Sequence, residues 1–149
     1  MATSLLEYKA KGFYVHDSFL GAIYCLLLNE INGKIKNPNE FDKLIHDLKI
    51  GIAGYYDGAV DLNLDAYDDK IINLLKELLV SIIQRDYSFS NDKDFNAYLN
   101  NCRNKLLNVN ENYFDVDISS VKKLNEFFLD LLTDNLDCKE ERTVNFLDY

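Results

Sequence analysis

Apolar residues along this chain recur mainly at the three- and four-residue spacing of an α-helix. The first strong run follows Asp17 or Ser18 as a cap and continues to about Asn32, next to Gly33. Its residues Phe19, Leu20, Ile23, Tyr24, Leu26, Leu27 and Leu28 leave almost no polar face, so this helix is expected at the centre of a core. A second helix is expected to open at Asn37-Pro38, with Glu40 as an early carboxylate. It carries Phe41, Leu44, Ile45, Leu48 and Ile52 at helical spacing and stops at Gly54. The longest run spans about Asp65 to Gln84, with a stripe of Ile71, Leu74, Leu75, Leu78 and Ile82. A fourth helix starts near Asn91 and repeats Phe95, Tyr98, Leu99, Cys102 and Leu106. A fifth, from about Ser119 to Thr133, turns Val121, Leu124, Phe127, Phe128, Leu131 and Leu132 inward. Ser4 with Glu7 reads as a capping box for a short N-terminal turn ended by Gly12, and residues 136–148 as a sixth helix.

Three stretches depart from the helical period: Phe13–Val15, Val60–Asp65 and Phe114–Ile118. The last two alternate apolar and polar residues, which is a strand signal. Each is followed at once by a helix, so they are expected to be extended lead-ins whose apolar side chains plug the core. The lead-in and helix at 60–79 weakly resemble those at 114–132, which adds only a tendency toward a helical array, since two copies fall short of the roughly three repeats a solenoid needs. The expected fold is therefore all-α: one domain over 1–149, five to six helices around a central apolar helix, with at most a very small β element.

Composition agrees with a packed domain. The chain has 149 residues, 48% of them apolar and 13% aromatic, enough to sustain a core without staples. Its longest uncharged run, Ser18–Asn29, is 12 residues, short of the roughly 20 a membrane-spanning helix needs. Cys25, Cys102 and Cys138 are an odd, widely spaced set with no zinc spacing, which points to free thiols in a reducing, cytoplasmic setting. Charge is unevenly spread. Residues 1–56 balance six acids with six bases, whereas 57–110 are net −3 and 111–149 net −6. The total of −9 argues against nucleic acid as a direct partner.

Candidate chemistry is sparse, and a non-enzyme without cofactor or metal is expected. His16 and His46 are the only imidazoles, and neither lies in a nucleophile signature. Asp61, Asn63 and Asp65 match the first three ligands of a calcium loop, but Ala66 replaces the turn glycine and Ile72 the closing glutamate. No glycine-rich phosphate loop is present, no tryptophan is available to stack on a sugar, and bases never cluster beyond Lys122-Lys123.

What stands out is an acidic, tyrosine-bearing surface. Tyr55, Tyr56, Asp57, Asp61, Asp65, Tyr67, Asp68 and Asp69 fall in one stretch without a base. Asp134, Asp137, Glu140 and Glu141 form a second, C-terminal group. Asp65, Asp68, Asp69 and Asp117 also sit where carboxylates cap helices, so part of this acidity has a structural cause. The remainder suits a protein partner with a cationic groove, because Tyr supplies rigid contact area and carboxylates meet Lys or Arg.

In size and composition, with the stretch Gly12-Phe-Tyr-Val-His-Asp-Ser-Phe-Leu20 and the segment Gly54–Asp65 leading into an apolar helix, the chain resembles immunity proteins of contact-dependent growth inhibition and related polymorphic toxin systems. That resemblance implies a cytoplasmic inhibitor binding a cognate basic toxin domain, one to one, with a nuclease as the toxin and a ribonuclease favoured. The alternative is a helical adaptor or regulatory domain, of viral type for instance, that docks a partner helix in an apolar groove. Neither reading involves a membrane.

Overall fold

A computed structural model describes residues 3–53, 62–84 and 89–137, with the backbone of a strand at 143–145. Among them are five α-helices: α1 (Asp17–Lys34), α2 (Asp42–Ala53), α3 (Asp69–Gln84), α4 (Asp92–Leu107) and α5 (Ile118–Leu132). Short 3-10 turns at Pro38–Phe41 and Leu64–Ala66 precede α2 and α3, so both helices start later than their capping signals suggest. Three strands, β1 (Thr3–Tyr8), β2 (Lys11–His16) and β3 (Thr143–Asn145), form a small sheet in the order β1-β2-β3.

The central role of α1 follows from its sequence. Residues Leu20 to Leu28 are buried without interruption, and α1 packs against each of the other four helices. The ring of Phe114 packs over Gly21, where a Cβ would meet it at 3.4 Å, an ordinary contact distance. The other helices bury single stripes, as on α3, where Ile72, Leu75, Leu79 and Ile82 face inward. No described helix is long and apolar enough to cross a membrane.

The expectation of a helical array is met, and the β element is larger than the local pattern suggests. The N-terminal capping box is instead β1, antiparallel to β2 with Leu6 opposite Phe13. Phe13–Val15 is thus a strand rather than a lead-in. Ser4 hid β1, because this polar residue occupies an inward position beside Leu6 and Tyr8. It is accommodated there by donating a 2.6 Å hydrogen bond to the buried carboxylate of Asp17. The sixth helix is also corrected: Thr143–Asn145 pairs in parallel with Gly12–Tyr14. An open strand edge attracts a β-branched pair such as Thr143-Val144 more strongly than a short isolated helix would hold it. The stretches leading into α3 and α5 are extended lead-ins as expected, with Leu62, Leu64, Phe114 and Val116 buried.

Candidate functional site

The acidic positions split three ways. Tyr55, Tyr56, Asp57, Asp61, Glu140 and Glu141 lie outside the described residues. Asp65, Tyr67 and Asp68 have structural work to do. Asp69, Asp134 and Asp137 are exposed.

The turn between β1 and β2 brings together one member of each acidic group. Tyr8 pairs with Lys11, so the turn has two residues, Lys9 and Ala10, both left-handed at φ 51° and 67°. This is the mirror-image turn that suits the right-handed twist of a hairpin. The Lys9 N–H donates to Asp65 at 3.0 Å, and the Lys11 ammonium meets Asp134 at 2.9 Å. Asp65 and Asp134, 69 positions apart in sequence, therefore flank one hairpin end. The Lys11 contact holds the Asp134 carboxyl below the usual carboxylate range. Sequence reading separated these two groups and missed Lys9 and Lys11 as their partners, since nothing local links residues so far apart.

Asp68 accepts the Ile71 N–H at 3.0 Å and caps α3, as its position suggested. Tyr67 differs from the expected surface tyrosine. Its ring is buried, its hydroxyl donates to Asp47 at 2.6 Å, and the Lys43 ammonium lies 5.5 Å from the ring centre. Burial, reinforced by that bond to Asp47, pushes the phenol well above its ordinary range. Tyr67 thereby ties the Leu62–Asp69 approach to α2. Asp117 caps α5 by accepting the Ser120 N–H, and the hydroxyl of Ser120 helps hold its carboxyl low.

A second polar constellation lies between α4 and the extended chain before α5. Asp92, Asn96, Asn100 and Asn104 recur every four residues and form one ladder on α4. Asn104 bonds both backbone groups of Glu111, Asn96 both of Val116, and Asp92 accepts the Ile118 N–H. Beside this ladder, Arg103 is fully buried, stacked 4.0 Å from the ring centre of Tyr113 and paired with Glu111 at 2.9 Å. Its Nε faces the Ile52 carbonyl in the last turn of α2, where positive charge is favoured. A repeat of Asn inside a helix runs against helix propensity, and that was the available sequence signal.

The nucleophilic and metal-binding inventory is thin. Cys25 and Cys102 are free thiols, and burial raises both above the ordinary range. Cys138 lies outside the described residues. His46 is exposed, and His16 packs near Phe19 with ring centres 6.0 Å apart. Among the described residues no cluster of three or more His, Cys, Asp or Glu could hold a metal ion. Comparison with protein-family models, curated proteins and solved structures finds no match.

Proposed function

We propose that this is an immunity protein that binds and neutralises a cognate basic toxin domain by covering its active-site groove with an acidic, Tyr-containing surface. The toxin is a nuclease, with a ribonuclease favoured, because a groove built to attract phosphates is the cationic target an acidic inhibitor can mimic. The observation that carries the reading is the charge distribution, net −6 over residues 111–149 against zero over 1–56. The convergence of Asp65 and Asp134 on one hairpin end supports it, since it brings one member of each acidic group to the same place. Such a field accelerates encounter with a cationic partner.

The test is co-expression with the product of the neighbouring gene. The reading expects a one-to-one complex that survives purification and restores growth to cells expressing that product. A neighbouring product that is non-toxic and is not captured would remove the basis for it.

A further inference from the structure

We infer that the outer edge of β1 pairs with β1 of a second copy of this chain, antiparallel about a two-fold axis at Leu5, so that two three-stranded sheets become one continuous sheet. The inference goes beyond the proposed function and does not depend on it.

β1 is an edge strand, since β2 lies between it and β3. The two-residue turn makes Tyr8 and Lys11 a hydrogen-bonded pair, and alternation gives Leu6 and Ser4 the same role along the hairpin. Thr3, Leu5 and Glu7 therefore turn their N–H and C=O groups to the outside. Among the described residues none of these groups has a hydrogen-bond partner. Thr3 and Glu7 are exposed and Leu5 is half-buried. The register runs unbroken from Thr3 to Tyr8, so no bulge twists this edge away, and no Lys or Pro blunts it. Asp65 covers the turn beyond the strand, where it accepts the Lys9 N–H.

Parity and side chains make β1 its own complement. In an antiparallel pair, residues that turn outward on one strand must face residues that turn outward on the other. A two-fold axis at Leu5 achieves this for all three, setting Leu5 against Leu5 and Thr3 against Glu7 twice. Glu7 is the only charged side chain in β1, and this register keeps it away from its own copy. An axis at Glu7 would instead bring the two carboxylates face to face. The faces agree as well. Ser4, Leu6 and Tyr8 point into the core, so Leu5 lies on the outer face beside its partner Tyr14, which is 43% exposed. Pairing continues this into one row of Tyr14, Leu5, Leu5 and Tyr14, which covers apolar surface that each copy alone leaves in water. The two hairpin ends, with Asp65 and Asp134, point in opposite directions, so each stays open to a partner of its own.

Sedimentation velocity of the full chain from about 10 μM to about 1 mM tests the pairing. A monomer–dimer equilibrium is expected, and the Leu5 amide should exchange more slowly as the dimer fills, while the Leu6 amide, already bonded within the hairpin, changes little. Leu5→Lys sets two ammonium groups across the axis and should weaken the dimer about tenfold. Thr3→Lys sets each new ammonium against a Glu7 and should tighten it about fivefold. That gain should vanish in a Glu7→Gln background, which separates the specific pair from a general change in net charge. All three side chains lie on the outer face, and circular dichroism with a thermal melt checks that each variant folds. Should Leu5→Lys fail to fold, Thr3→Lys with and without Glu7→Gln still decides the register. A monomer at every concentration, a folded Leu5→Lys that dimerises as well as the parent, or a gain from Thr3→Lys that survives Glu7→Gln would overturn the inference.

Discussion

Asn100 holds the backbone of Phe114 at both ends, accepting its N–H at 2.7 Å on Oδ1 and donating to its carbonyl at 3.4 Å from Nδ2. The same Oδ1 accepts the Tyr113 N–H at 2.9 Å. One buried amide thus fixes where the chain turns Phe114 toward Gly21 of the central helix. Replacing it by Ala strands two N–H groups, one of them buried. Asn100→Ala should cost about 2–4 kcal/mol, against about 0.5–1 for Asn104→Ala at the more exposed end of the ladder. Urea unfolding of both variants measures the difference. Equal costs would mean the ladder is not graded by burial.

The β1–β2 turn carries backbone strain that a glycine relieves. Ala10 sits at φ 67°, a conformation that costs a residue with a Cβ about 1–2 kcal/mol. Ala10→Gly should raise stability by about 0.5–1 kcal/mol after the added freedom of the unfolded chain is deducted. Gly12 is the opposite case, since a Cβ there would lie 2.5 Å from the Leu6 carbonyl oxygen. Gly12→Ala should destabilise by about 1–3 kcal/mol. Thermal melts that moved both variants in the same direction would contradict this hairpin geometry.

Alkaline pH should weaken the fold through Tyr67. Its folded phenol is pushed above the ordinary value of 10.0, first by burial and then by Asp47, so the folded state keeps a proton that the unfolded state releases. The stabilisation is fully present below pH 10.0 and declines as pH climbs above it. Tyr67→Phe cannot ionise, and it also loses the bond to Asp47. It should be about 1–2 kcal/mol less stable at neutral pH, with a gap that narrows as pH rises past about 10. Denaturation at a series of pH values checks the narrowing. A constant gap would mean that the phenol's ionisation is not linked to folding.

Partner binding should separate the two acidic groups by rate. Under the proposed function, Tyr56→Ala and Asp61→Ala remove central contacts and should weaken toxin binding by about 2–5 kcal/mol through faster dissociation. Asp137→Ala and Glu141→Ala should slow association by a small, salt-dependent factor. Surface charges act over roughly 8–10 Å at ordinary salt, so raising salt should cut the on-rate and leave the off-rate nearly unchanged. Stopped-flow association over a salt series distinguishes these. Intact affinity in the loop variants, with protection lost in the C-terminal ones, would reverse the assignment.

The helices, the central place of α1 and the caps at Asp68, Asn91 and Asp117 were legible in the sequence, because each depends on residues within a turn or two of one another. The alternating segments were not decidable in that way. Phe13–Val15 and Phe114–Ile118 both read as extended, yet one became a strand and the other a lead-in. The difference lies in what satisfies their backbones: β1 for the first, the side chains of α4 for the second. Ser4 looked polar and local until Asp17 gave it a buried partner. The acidic groups behaved likewise. Their composition was plain from the sequence, but that Asp65 would bind the Lys9 N–H, Asp134 meet Lys11, and Tyr67 turn inward to Asp47 depended on chain segments brought together only by folding. Periodicity and capping are short-range properties, and a single sequence carries them. The choice of hydrogen-bond partner for an extended backbone or a carboxylate is made across the core, and the tertiary structure alone decides it.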